Sequence, residues 1–273
     1  MQFTGTRTNS SKQSDFKSKI VVVLALMAIV LLAMPAVADE KLPSGEDVLK
    51  QFLKATGGEE ALKKVTNRIT HGSMEIVGMG LTGTMVSYNA RPALHYVAIE
   101  SPAIGKMESG SNGDVFWEMS MMTGPRIKEG AERDLAIREG NFDGLLNWRD
   151  YYTNANTDSI VTLDGVECYR VIMTPKSGQP ETMYFAKESH LLVKNEMQME
   201  TPMGVIPMES YISDYRKVDN LMMAFKVRQV VMGTQEMLLT TDKVELNGEI
   251  PEGLFDLPTE IQGLVKKEQS TGK

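Results

Sequence analysis

Cysteine is almost absent from this chain of 273 residues, in which Cys168 is the only one. A single thiol cannot form an intrachain disulfide, so packing must hold the fold together. Cys168 lies in a strand-like run, and a lone thiol in that setting is typical of a small buried apolar residue. The three histidines, His71, His95 and His190, lie far apart, and no H-E-x-x-H motif occurs. The sequence therefore predicts neither a disulfide framework nor a metal site.

Reactive motifs and excess positive charge are also missing. There is no G-x-S-x-G motif, and the loop Gly110-Ser111-Asn112-Gly113 lacks the G-K-[ST] ending of a phosphate loop. No set of acid, base and nucleophile can be assembled. The formal net charge is −7, which disfavours both nucleic acid and an anionic membrane surface. The sequence predicts no enzyme, no cofactor and no nucleic-acid partner.

Long apolar runs are limited to one, Ile20 to Met34, which follows several basic residues and precedes Pro35 and Ala36-Val37-Ala38. This order is typical of a secretory signal over residues 1–38, with cleavage after Ala38. The alternative is an uncleaved inner-membrane anchor, but the run is shorter than the roughly 20 apolar residues that span a bilayer. No cysteine follows it that could carry a lipid. The sequence therefore favours a periplasmic protein that is soluble after cleavage.

After residue 38, we expect a single domain over 39–258 and a flexible tail over 259–273. Ser44 is placed to cap a first helix that ends at Gly57-Gly58, and a second helical turn follows at 59–64. The charged segment 129–151, with a break at 140–143, predicts one or two short amphipathic helices inserted between strands.

A period of two residues dominates the remainder and predicts a mainly β fold with short helices. Leu191 to Glu200 alternates between an apolar and a polar set, which indicates a sheet with one dry face. Asn112-Gly113 between two such runs indicates a hairpin, and short turns imply antiparallel pairing. The predicted strands are 68–77, 81–89, 93–100, 104–110, 114–120, 158–164, 166–174, 181–187, 191–200, 205–216, 221–232 and 235–245. A sheet of this size must curl. Its dry face is then either covered by the helical segments 44–65 and 129–151 or left concave around a guest.

Methionine is unusually frequent, with 20 residues in the chain. Its flexible, polarizable side chain suits surfaces that adapt to apolar partners of different shapes. Strand parity selects these candidates for lining an apolar ligand cavity: Trp117, Met119, Met183, Phe185, Met197, Met199, Met223 and Phe225. The same residues would also serve in a plain core. Thioether pairs such as Met197 and Met199 could bind Cu(I), but no histidine or cysteine lies near them in sequence.

Several turn and strand-end motifs occur together in a recognisable order. They are Gly57-Gly58-Glu59-Glu60-Ala61-Leu62, His71-Gly72-Ser73-Met74, Asn112-Gly113 to Trp117, Gly124-Pro125, Thr174 to Pro180, Tyr215 to Asp219, and Phe255-Asp256-Leu257-Pro258. Over 44–258 the chain resembles the outer-membrane lipoprotein-sorting proteins of the LolA/LolB (LppX-like) superfamily. The resemblance implies an incomplete antiparallel β-barrel of about 11 strands with a helical lid. It also implies lipid or an acylated protein as ligand, and membrane-embedded donor and acceptor proteins as partners.

Two functions are consistent with these features. The first is a periplasmic carrier or binding protein that holds lipoproteins, lipids or another apolar ligand non-covalently, since each buried methylene contributes about 0.8 kcal/mol. The second is a structural or regulatory envelope protein with a filled core and no ligand. An apolar hollow on the concave face would favour the first.

Overall fold

The computed structural model describes residues 1–2, 41–201 and 204–271 and contains a 13-stranded antiparallel sheet. The first six strands are β1 (Asn67–Ile76), β2 (Leu81–Ala90), β3 (Leu94–Ser101), β4 (Gly105–Asn112), β5 (Phe116–Ser120) and β6 (Gly124–Ile127). The remaining strands are β7 (Tyr152–Leu163), β8 (Val166–Pro175), β9 (Glu181–Ala186), β10 (Leu192–Thr201), β11 (Gly204–Val218), β12 (Leu221–Val231) and β13 (Gln235–Leu246).

Consecutive strands pair with each other, except β6 and β7, and β1 also pairs with β13. The sheet edges are β6 and β7, which follow one another in the chain. The predicted fold class, an incomplete antiparallel β-barrel, is thus confirmed. The structure has two more strands than the expected number of about 11. The alternation pattern missed β6, which has only four residues and contains Pro125.

Within the described ranges, five short helical segments accompany the sheet. They are α1 (Gly45–Ala55), α2 (Glu59–Lys63), α3 (Gly130–Glu139), a 3₁₀ helix (Gly144–Asp150) and α4 (Thr259–Thr271). The Ser44 cap is confirmed, because its hydroxyl accepts a hydrogen bond from the Asp47 amide at 3.1 Å. Gly57 and Gly58 have positive φ and end α1 as predicted.

The sheet curls around α3. This helix contacts both β5 and β10, which are widely separated in the strand order, so the sheet must bend towards it. We call the side that faces α3 the inner face. Phe116 lies on this face, with the Arg133 guanidinium 6.0 Å from its ring, while the next residue, Trp117, lies on the outer face.

Antiparallel pairing also defines two ends of the sheet. The β1–β2, β3–β4, β5–β6, β8–β9 and β12–β13 turns lie at one end, which we call the upper end. The β2–β3, β4–β5, β7–β8, β9–β10 and β11–β12 turns lie at the other, lower end.

One part of the inner face, over β7 to β9, forms a closed hydrophobic core. The helix α1 and the 3₁₀ helix pack onto it, and the Phe52 ring meets the Phe185 ring edge-on with centroids 5.4 Å apart. The buried members of this core are Val48, Leu49, Trp148, Tyr152, Val171, Met173, Met183 and Phe185. Helix α1 fits because its apolar positions recur every three to four residues.

The C-terminal segment covers part of the outer face. A Cβ on Gly248 would lie 2.9 Å from Ile69 Cδ1 on that face, and α4 contacts β6. Ile69, Trp117 and Ile261 are all buried. The sequence predicts a flexible tail over 259–273, whereas the structure has a helix over Thr259–Thr271 with a fully buried Ile261.

Residues 3–40 lie outside the described part, so almost all of the predicted signal over 1–38 does as well. Among the residues that are described, no helix combines the length and apolar character needed to cross a bilayer.

Candidate functional site

The inner face of β10–β13 and β1–β5 is not packed against α1, and we call this surface the trough. Strand register assigns eight methionines among the described residues to it: Met74, Met85, Met107, Met197, Met199, Met208, Met223 and Met237. Most are only half-buried, although Met74 and Met197 are buried. An adaptable apolar wall therefore faces the concave side.

The trough contains a cavity of about 200 Å³ against β3 to β5. It is lined by Val97, Ile99, Met107, Glu108, Ser109, Glu118, Met119 and Ser120. Ser109 is short, which leaves room beside Met107 on the same strand. This volume is below the roughly 300–1,000 Å³ of typical small-molecule pockets. A long ligand would therefore occupy the cavity only in part and extend along the open trough.

The lower end of the trough is closed by the segment between α3 and the 3₁₀ helix. The Phe142 ring lies 5.9 Å from the Arg68 guanidinium and 5.2 Å from that of Arg91, and Arg91 forms an ion pair with Asp143. Only about 50 Å³ remains between this segment, α2 and β12. Desolvation lowers the pKa of Arg68 there. The 200 Å³ cavity lies towards the other end, beside Met107 and Ser120, so we take the upper end as the open end of the trough.

A buried ion pair fixes α3 to the other side of the sheet. Arg138 Nη2 lies 2.6 Å from Glu181 Oε1 at the start of β9, and the two side chains are 8% and 1% exposed. The Tyr152 hydroxyl donates a hydrogen bond to Glu181 Oε2 at 3.2 Å. Desolvation raises the pKa of Glu181, and Arg138 opposes this shift. Because breaking such a pair leaves a buried charge, α3 is held firmly across the trough.

Glu139, the last residue of α3, reports on the environment beside that pair. Its side chain is exposed, yet desolvation, together with the nearby Glu181 carboxylate, raises its pKa to about 7.

The eight residues predicted to line a cavity fall into three places. Met197, Met199, Met223 and Phe225 lie on the inner face within the trough. Met183 and Phe185 lie on the inner face but belong to the core beneath α1.

Trp117 and Met119 lie on the outer face, with Tyr96 and Glu108 as their neighbours, although Met119 borders the cavity at the sheet edge. Parity misplaced these two residues because both faces of β5 are covered. Helix α3 buries Phe116 on the inner face, and Trp117 is buried on the outer face, where the C-terminal segment lies.

A second, larger groove lies outside the trough. It measures about 740 Å³ near the upper end of β1 to β4, and its side chains are mainly polar and on the outer face, including Ser73, Thr84, Glu100 and Lys106. Volume alone would favour this groove. We place the candidate site in the trough, because strand register brings the methionines together on that face, and their flexible side chains suit an apolar ligand.

No group of three or more His, Cys, Asp or Glu side chains suited to a metal ion occurs within the described ranges. His95, on the inner face, is partly buried, and desolvation together with Lys128 lowers its pKa to about 4.

Sequence reasoning did not find Arg138, Glu181 or Glu139. Residues 138 and 181 are far apart in the chain, and in an acidic sequence neither charge is distinctive. The only available signal was Glu181 at an apolar parity of β9, two residues before Met183.

Comparison with known proteins identifies the fold as that of the LolA superfamily. A DUF1329 family protein from Desulfovibrio piger is 14% identical with a TM-score of 0.55, covering 79% of this chain and 98% of its own. A LolA superfamily protein from Nitrosomonas europaea is 10% identical with a TM-score of 0.54, covering 79% and 99%. A putative outer membrane lipoprotein-sorting protein domain from Vibrio parahaemolyticus is 11% identical with a TM-score of 0.52, covering 81% and 99%. No protein-family model and no curated protein matches the chain. The expected resemblance is thereby confirmed at the level of the fold.

Proposed function

We propose that this protein is a periplasmic carrier or binding protein that holds a lipid or acylated ligand non-covalently in the trough. The observation that carries the proposal is an inner face that is rich in methionine and is not packed against α1. One of the proteins with this fold is described as a lipoprotein-sorting domain, which agrees with such a role.

Helix α3 supports a carrier rather than a filled core. Apart from the side chain of Arg138, none of its ten residues is buried, and its sequence, GAERDLAIRE, has no continuous apolar stripe. A helix of this kind can span the trough and remain solvated, but it cannot fill the space beneath it. The proposed contacts are Met197, Met199, Met223 and Phe225 from the sequence prediction, together with Met85 and Met107.

Burial of the acyl chain supplies the affinity in this proposal. At about 0.8 kcal/mol per methylene, a chain with ten buried methylenes gains about 8 kcal/mol before the cost of ordering, so no polar anchor is needed. The flexible thioethers can adjust to chains of different length or branching. We therefore expect broad selectivity among acyl ligands.

The test is saturable binding of a fluorescent fatty acid in the absence of vesicles, combined with mass spectrometry of lipids that co-purify. Ser109→Trp places an indole in the 200 Å³ cavity and should weaken binding about tenfold or more. Thr84→Trp, on the exposed outer face, is the matched control and should bind like the unaltered chain. No saturable binding, or equal loss in both variants, would refute the proposal.

A further inference from the structure

The exposed apolar side chains of this protein are concentrated at the upper end of the sheet. Apart from Met1, the described part of the chain has seven large apolar residues that are exposed. Val77, Met79, Met121, Met122, Val205 and Met232 all lie in upper-end turns or beside them, whereas only Val166 lies at the lower end. We call these six residues and their turns the upper rim.

Charge also distinguishes most of these turns from the lower end. The turns 77–80, 102–104, 121–123 and 232–234 read VGMG, PAI, MMT and MGT and contain no charged residue, whereas the β8–β9 turn at the same end contains Lys176. Every lower-end turn between strands contains an ionisable side chain, and these residues are Arg91, Asp114, Asp164, Lys187, Glu188 and Asp219. Water solvates the lower end readily, whereas an apolar rim of this extent marks an interaction surface.

The exposure of the rim residues is too high for incidental surface packing. Met121 and Met122 are 81% and 87% exposed, and Met232 is 65% exposed. The β1–β2, β5–β6 and β12–β13 turns carry most of the rim residues, and each turn is followed or ended by a positive-φ glycine, namely Gly80, Gly124 and Gly233. A rigid protein partner would need a contiguous complementary patch, whereas a fluid phase accepts separate protruding side chains.

We propose that the upper rim docks on the surface of an electrically neutral lipid bilayer, with the methionine side chains in the interface. The trough opens at the same end, so acyl chains could pass between bilayer and trough without crossing water. The negative net charge of the chain disfavours anionic lipid, which makes zwitterionic phosphatidylcholine the appropriate surface. Docking goes beyond ligand binding in the trough and does not depend on it.

The experiment measures bilayer contact at single positions of the full chain. Cys168, which is buried, is changed to Ala, and an environment-sensitive fluorophore is attached at Met79→Cys or, as control, at Asp164→Cys in the β7–β8 turn of the lower end. Vesicles of phosphatidylcholine with brominated acyl chains quench only fluorophores that reach the hydrocarbon. Quenching reports only on the position that carries the label. Attachment of the protein to the bilayer through residues 20–34 would therefore not produce a difference between the two labels.

We expect quenching at least threefold stronger at position 79 than at position 164. In the position-79 protein, Met121→Glu combined with Met122→Glu should raise the lipid concentration for half-maximal quenching at least tenfold. Both residues are exposed, so thermal unfolding should be unchanged.

Equal quenching at the two labels, or no response to the glutamates, would overturn the proposal. If the fluorescence of the label at position 79 varies with protein concentration in the absence of vesicles, the rim binds a second copy of the chain instead. That result would also overturn the proposal. Fatty-acid binding without vesicles is measured separately, so failure of docking and failure of ligand binding remain distinguishable.

Discussion

The inner face is a core in one region and a hollow in another, although the same sheet builds both. Over β7 to β9, Val171 and Phe185 are fully buried beneath α1, whose Val48 and Leu49 are buried in return. Over the rest of the sheet, the methionine-rich inner face lies towards α3, which buries only the side chain of Arg138. The comparison shows that the covering helix, and not the strand sequence, decides whether a concave apolar face becomes core or cavity.

The largest expected effect comes from truncating one apolar residue in each region, which tests whether core and trough differ in packing. Phe185→Ala removes a fully buried ring that packs against Phe52, and it should lower the free energy of unfolding by about 3–5 kcal/mol. Met107→Ala, in the half-exposed trough, should cost less than about 1.5 kcal/mol, because the side chain is already partly solvated. Urea denaturation measures both values. Equal losses would mean that the trough is packed like the core.

The ion pair that joins the two regions gives the next largest effect. Arg138→Ala leaves Glu181 buried without its partner and should cost about 3 kcal/mol in urea denaturation. Lys63→Ala, which removes an exposed pair with Glu59 on α2, should stay within about 0.5 kcal/mol.

The double variant Arg138→Met with Glu181→Met should recover most of the stability lost in Arg138→Ala, because no buried charge remains. If Arg138→Ala is no more harmful than Lys63→Ala, α3 is not anchored as described.

The smallest effect concerns pH. The pKa of Glu139 is raised from 4.5 to about 7, so the folded state holds more protons than the unfolded state between these values. Stability therefore decreases as the pH rises through this window. Glu139→Gln removes this contribution, so its Tm should match that of the unaltered protein near pH 4 and exceed it above pH 7. Each kcal/mol corresponds to about 2–4 °C for a domain of this size. A difference in Tm that does not vary with pH would contradict the raised pKa of Glu139.

Local features of the fold could be predicted from sequence because their signals are local. Ser44 and Gly57-Gly58 bound α1 as expected, and Asn112-Gly113 forms the β4–β5 hairpin turn, where Asn112 Oδ1 accepts hydrogen bonds from the amides of Asp114 and Val115. The break in the 129–151 segment also lies where expected, between α3 and the 3₁₀ helix.

The site could be predicted only in part, because alternation identifies an apolar face but not what covers it. Phe185 and Met197 have the same strand pattern, yet one lies under α1 and the other in the trough. Trp117 is apolar for the sake of the outer face, next to a C-terminal segment whose packing the sequence pattern did not reveal. Such assignments depend on contacts between residues that are distant in the chain.

The pairing of β1 with β13 has a consequence for how the chain is made. Arg68 pairs with Leu246 across these two strands, so β1, which is synthesised first, cannot complete its pairing until β13, the last strand, has been made. A polypeptide that emerges from its N-terminus forward can form the β1 to β6 hairpins early. The pairing of β1 with β13 forms only when synthesis or translocation is almost finished. Pairing over such a separation slows folding. Until then, one side of β1 is an unprotected strand edge, and a holding factor or rapid completion of the chain would protect it from self-association.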